Sequence, residues 1–156
     1  MTYNKTVDAI DINEFMGKWY VIAARPTFLE KGAHNAIEIY TWNEKEKRID
    51  IDFTLRKNGF DGELKKIPQK AWIYNEETNA HWKVQPFWPL KFDYLVIAHD
   101  QNGQWTVIGV PNENYVWIMA RQWSMNDEQL DQIITQIDEL GYEVKDIQRI
   151  PQNGGS

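Results

Sequence analysis

Few side chains in this sequence are placed to do chemistry, and the first is Glu38, in the run Asn35-Ala36-Ile37-Glu38-Ile39-Tyr40-Thr41-Trp42. A carboxyl group between isoleucines on an extended segment faces either solvent or a core. In a core, desolvation raises its pKa and makes it a stronger base. Such a base can abstract a proton from a carbon acid in an apolar pocket, and Glu38→Gln would then abolish turnover. Nothing else in the chain completes a catalytic set. Serine occurs only at 124 and 156, which leaves no Ser-His-Asp arrangement, and His34, His81 and His99 lack metal-ligand spacing and read as surface or loop histidines. With no cysteine, thiolate nucleophiles, disulfides and Cys-ligated metals fall away. The residues predict no cofactor, no metal and no catalytic residues; an enzyme built on Glu38 is one alternative reading, and an interaction or dimerisation module is another.

Those residues must be held by one domain. The 156-residue length suits a single unit over 1–152, with 153–156 (Asn-Gly-Gly-Ser) as a flexible tail. The net charge of -6 argues against nucleic acid as a partner, because phosphate binding needs a cationic footprint. No apolar run reaches 18 residues, and the N-terminal residues lack the basic start and apolar core of a secretory signal.

From Trp19 to Arg121 the chain is a series of short runs rich in β-branched and aromatic residues, punctuated by turn signals such as 43–47, 58–62, 75–79, 100–103 and 111–114. Eight runs stand near 18–24, 35–42, 48–56, 69–74, 80–86, 92–99, 104–110 and 115–121. Their even spacing predicts an all-β fold, an eight-stranded up-and-down antiparallel barrel. Alternation is clearest where Ile49, Ile51, Phe53 and Leu55 share one face. A C-terminal amphipathic helix follows, with Ser124 as predicted N-cap, Gly141 as stop and a stripe of Leu130, Ile133, Ile134, Ile137 and Leu140 to pack on the outside of the barrel. Asp11, with Glu14 three residues on, marks a short helical turn before the first strand.

Three separated motifs resemble the lipocalin family, and within it the bacterial branch that includes apolipoprotein D-like proteins. They are Gly17-Lys18-Trp19 at the head of the first strand, Asp93-Tyr94 on a late strand, and Tyr115 to Arg121 as the closing strand. The resemblance covers about residues 10–150. It implies that Trp19 plugs the closed end of the barrel with Arg121 packed over it, and that Gly17 admits the tight turn into the strand. It further implies a calyx that binds a small hydrophobic molecule such as a fatty acid or lysophospholipid, and a place in the periplasm or at the outer membrane. The chain departs from the pattern in having Ala24 before Arg25, Gln122-Trp123 after the closing arginine, and no lipoprotein cysteine.

With Trp19 inward, alternation assigns to the interior Val21, Ala23 and Arg25 of the first strand. The family register adds Ala36, Glu38, Tyr40 and Trp42 of the second. The other strands contribute Ile51, Phe53 and Leu55; Ala71 and Ile73; Trp82 and Val84; Tyr94, Val96 and Ala98; and Tyr115, Trp117 and Met119. A register displaced by one residue, with Ile37 and Ile39 inward and Glu38 solvated, is the alternative on the second strand. In one reading the lining encloses a cavity, with Arg25, Lys91, Glu38 or a tyrosine meeting a head group; in the other the side chains fill the barrel as core. Phe87 and Trp88 stand at the open end, as a lid or membrane-touching lip or as loop anchors. The expected partner is a small hydrophobic ligand, with peripheral membrane contact at that lip and a monomeric or homodimeric state.

Overall fold

The structure, a computed structural model, describes residues 2–27 and 30–155. Asp11 starts the first helix: its Oδ1 accepts hydrogen bonds from the backbone of Asn13 and Glu14 and caps α1 (Ile12–Phe15). Gly17, at φ +101°, then turns the chain into β1 (Gly17–Arg25); this is the left-handed backbone that glycine tolerates. Seven strands follow: β2 (Ala33–Asn43), β3 (Arg48–Lys57), β4 (Leu64–Ile73), β5 (His81–Phe87), β6 (Leu90–His99), β7 (Trp105–Gly109) and β8 (Val116–Ala120). Each pairs antiparallel with the next. β8 and β2 both pair with β1, and that double pairing closes the eight strands into a barrel. Closure leaves no free edge inside the ring. A two-residue strand, β9 (Gln148–Arg149), adds to β1 at Ala23 and Ala24.

Alternation sorts the apolar residues into two cores. Trp19, Val21, Tyr40, Ile49, Ile51, Phe53, Leu55, Trp82, Val84 and Val96 pack inside the barrel. Ile22, Leu95, Ile97, Val107 and Ile118 face outward, where Leu130, Ile133 and Ile137 of α2 (Asp127–Glu139) cover them. The helix therefore lies outside the barrel, as its stripe predicts. Leu140 is the exception on that stripe: it is the C-cap and is exposed, and Gly141 at φ +93° ends the helix behind it. Tyr142 closes the seam between helix and barrel. Its hydroxyl accepts from Val110 N and donates to Tyr115 O, and a Cβ on Gly109 would stand 2.7 Å from its ring.

Several expectations are corrected. The N-cap of α2 is Asn126, whose Oδ1 accepts from Gln129 N at 2.8 Å, and not Ser124. β4 starts at Leu64, five residues before the predicted 69, because Pro68 does not interrupt the ladder: it sits in register opposite Asp52. Ala23 faces the helix side, not the interior, because the β1–β8 register shifts between Val21 and Ala23; Ala24 takes the inward place. A second shift between Val96 and Ala98 turns Ala98 outward in the same way. Tail residue Asn153 is held, its amide N and side chain both bonded to the nearly buried Asn35; Ser156 lies outside the described residues.

Candidate functional site

The barrel has a sealed end and a hollow end. At the sealed end Trp19 is fully buried and donates from Nε1 to Phe15 O at 2.8 Å. The Arg121 guanidinium lies 3.6 Å from the centre of the Trp19 ring and donates to the carbonyls of Glu14, Met16 and Lys18. Indole and cation thus form the plug expected of Gly17, Trp19 and Arg121, and the planar fork ties the α1 turn to β1. Above them Phe15 stacks on Tyr40 and meets Trp82 edge-on, while Trp82 stacks on Tyr94 with ring centres 4.5 Å apart. This aromatic layer fills the barrel to its wall.

Beyond it lies a cavity of about 530 Å³, within the range of small-molecule sites. β2 and β3 contribute Glu38, Ile51 and Phe53; β4 contributes Ile67 and Gln69; β5 and β6 contribute Val84, Phe87, Leu90, Phe92 and Tyr94; Ile108 and Trp117 come from β7 and β8. Thr27 and Glu30 enter from the β1–β2 connection, and Val110, Pro111, Asn112 and Tyr115 from the β7–β8 connection. The wall is apolar apart from a few groups, chief among them two carboxyls.

Of the residues that alternation and, on β2, the family register placed inside, Glu38, Ile51, Phe53, Val84, Tyr94, Tyr115 and Trp117 line this cavity. Val21, Ala36, Tyr40, Leu55, Ala71, Trp82, Val96 and Met119 do face inward, but belong to the packed part of the barrel. Ile73 and Trp42 are only partly buried against that core. One expectation of the interior fails outright. Arg25 points away and donates to the carbonyls of Glu113, Asn114, Glu143 and Lys145, pinning two connections outside the barrel. Trp88 is 84% exposed and stands outside the cavity wall. Asp93 reaches the wall, yet its carboxylate is taken by His81 and Lys83, and Lys91 at the rim lies 4.4 Å over the Trp72 ring.

Glu38 faces inward, which settles the register: Ile39 is partly exposed, although Ile37 is buried. The Tyr40 hydroxyl donates to Glu38 Oε1 at 3.0 Å and lies 2.8 Å from the Tyr94 hydroxyl. Burial, helped by the negative charge of Glu30, pushes the Glu38 carboxyl up to about 8 against the opposing hydrogen bond from Tyr40. Glu30 also titrates above the usual carboxylate range because it is buried, even though Trp117 Nε1 and Thr27 Oγ1 donate to it at 2.7 and 2.9 Å. Among the described residues no three His, Asp or Glu side chains are grouped to hold a metal ion.

Sequence reading missed Ile67, Gln69, Ile108, Val110 and Glu30. The first two share parity with Ala71, and Ile108 lies directly opposite Trp117, so the alternation carried a signal for each. Glu30 lies in a connection, where no periodicity exists to point inward.

The pattern of the Lipocalin-like domain matches residues 10–152. Temperature-induced lipocalin-1 of Arabidopsis thaliana is 29% identical over 155 residues, covering 96% of this chain and 83% of that protein. The outer membrane lipoprotein Blc of Vibrio cholerae is 27% identical over 143 residues, covering 89% and 81%. Among solved structures, insecticyanin from the tobacco hornworm Manduca sexta superposes with a TM-score of 0.73 at 14% identity, over 97% of this chain and 86% of that one, a likeness of fold. With the Gly17-Trp19-Arg121 seal, the eight-stranded barrel and a family match across nearly its whole length, this chain belongs to the lipocalin family.

Proposed function

We infer that the chain binds a small hydrophobic or amphipathic molecule in the hollow end of its barrel and carries or stores it without covalent change. The observation that carries this reading is the 530 Å³ apolar cavity standing above a fully packed floor. Each buried methylene contributes about 0.8 kcal/mol, so a chain of a dozen carbons gains on the order of 9 kcal/mol before the costs of association and ordering are subtracted. Fatty acids and lysophospholipids are the ligand classes that the family resemblance suggests. Phe87, Trp88 and Leu90, which are 60, 84 and 49% exposed beside the mouth, form an apolar lip suited to touching a lipid surface. Relatives named outer membrane lipoproteins support a place at the cell envelope.

The test is tryptophan fluorescence titrated with a C16 fatty acid, a lysophospholipid, a retinoid and a tetrapyrrole. Saturable change at micromolar concentration with one class supports the carrier. Flat titrations, repeated by calorimetry, overturn it.

A further inference from the structure

Three carboxyls reach the cavity wall; Asp93 is paired with His81 and Lys83, and the two buried ones, Glu30 and Glu38, are unequally satisfied. Glu30 and Glu38 are 8 and 9% exposed. Both oxygens of Glu30 are occupied, Oε1 by Trp117 and Oε2 by Thr27. Glu38 Oε1 accepts from Tyr40, but its Oε2 accepts nothing from any described residue, although Glu38 lines the cavity. An acceptor that opens onto a hollow space has room for a donor brought in by a ligand.

Among the described residues no cation bonds to it. Among the described residues neither glutamate is in an ion pair: Arg25 is bound to backbone carbonyls outside the barrel, Lys83 and His81 are held by Asp93, Arg121 lies against Trp19 at the sealed end, and Lys91 sits over Trp72. The other titratable side chains around Glu38 are the phenols Tyr40 and Tyr94, which burial holds well above their ordinary range and therefore neutral. A carboxylate head group at the depth of Glu38 meets the two glutamates, while Lys91, the cation of the lining, stands at the rim over Trp72, so the fatty-acid chemistry suggested by resemblance fits the inner wall poorly.

We propose that the cavity selects an amphiphile with a terminal ammonium, held by Glu38 Oε2 beside Glu30 while its chain lies along Phe53, Ile67 and Phe92. This rests on the carrier reading above. A primary ammonium brings three donors and a positive charge, and charge-assisted hydrogen bonds to a carboxylate are the strong ones. Because the Glu38 carboxyl titrates near 8, at neutral pH it is mostly protonated before binding. As R–NH3+ arrives, the Glu38 O–H bond breaks, the proton leaves to buffer, and the ammonium pairs with the carboxylate that remains; the ligand itself is unchanged.

The experiment compares matched twelve-carbon probes, each below its micelle concentration: dodecylamine, dodecanol, laurate and dodecylphosphocholine. Calorimetry at pH 7 in two buffers of different ionisation enthalpy measures affinity and proton release together. The expected order is dodecylamine at least about tenfold tighter than laurate, with dodecanol between, and proton release for the amine alone. In Glu38→Gln the preference for amine over laurate collapses and the released proton disappears, while unchanged dodecanol binding shows that the cavity is intact. Laurate binding as tightly as the amine, dodecylphosphocholine binding tighter than both, or a preference that survives Glu38→Gln overturns the head-group assignment and leaves the cavity reading standing. Failure of all four probes to bind overturns the carrier reading itself.

Discussion

The two ends of this barrel are made from the same strands and have opposite economies. At the sealed end Trp19, Phe15, Tyr40, Trp82 and Tyr94 touch ring to ring, and the polar atoms that enter are answered: the Trp19 indole by Phe15 O, the Trp82 indole by Asn79 O and the Arg121 guanidinium by three successive carbonyl neighbourhoods. At the hollow end the wall is lined but not filled, and Glu38 keeps an oxygen without a donor. The boundary is a short hydrogen-bonded chain, Glu38 to Tyr40 to Tyr94, with the acid on the hollow side, Tyr40 in the packed layer, and Tyr94 stacked on Trp82 while it still lines the cavity. The contrast teaches that stability and recognition are divided along the barrel axis: one end holds the fold, and the other is left unsatisfied so that a ligand can complete it.

The sharpest way to break the contrast is to hollow out the floor. Trp19→Ala removes the plug from a fully packed layer, and large-to-small changes at such sites cost about 3–5 kcal/mol. Urea denaturation is expected to show a loss of that size, whereas Ile67→Ala in the partly open cavity wall costs less. Equal losses at the two positions would erase the distinction between the ends.

The second test uses pH. Glu38 has its carboxyl raised from 4.5 to about 8 by burial and by Glu30, so between those values the folded state holds a proton that the unfolded state has released. The contribution of Glu38 to stability is therefore fully present below pH 4.5 and is lost as pH rises through about 8. Thermal melts of Glu38→Gln should lack this component, making the variant more stable than the parent at pH 9 by roughly a few kcal/mol, with the gap closing toward pH 5. A parent and variant with parallel pH profiles would mean that Glu38 titrates as an ordinary surface acid.

How far sequence reaches depends on the same division. The sealed end was legible because its parts are recognisable by type and order: a glycine two residues before Trp19, Asp93-Tyr94, and an arginine closing the last long strand. The hollow end was legible only where the ladder runs unbroken. The family register placed Glu38 on the cavity wall, and counting by twos placed Ile51, Phe53, Val84, Tyr94 and Trp117 there but misplaced Ala23 and Ala98, because a register shift inserts a residue that no periodic pattern announces. Parity also says nothing of depth: Tyr40, Trp82 and Met119 face inward, yet lie in the filled part. Glu30, reaching in from a connection, carried no pattern at all.

A smaller effect sharpens the sealed end. Arg121→Lys keeps the positive charge over Trp19 but gives up the planar fork that bonds Lys18, Glu14 and Met16 at once. Hydrogen bonds from a charged donor contribute about 1.5–3 kcal/mol, so a loss of about 2 kcal/mol in urea denaturation is expected, with binding in the distant cavity unchanged. A variant as stable as the parent would reduce Arg121 to a cation resting on an aromatic face.

The smallest expected stability effect lies at the lip, and there the two properties should separate completely. Trp88 is 84% exposed, so Trp88→Ala removes little packing and should shift stability by less than about 0.5 kcal/mol. What it removes is the most protruding apolar surface beside the mouth, between Phe87 and Leu90. If that lip meets lipid, co-sedimentation with phospholipid vesicles should fall for Trp88→Ala while the affinity for a soluble ligand stays as it was, because Trp88 is not part of the cavity wall. Unchanged vesicle binding would assign the lip no role at a membrane. A drop in soluble-ligand affinity would instead place Trp88 in the path of entry, and would extend the recognising end of the barrel outward past its mouth.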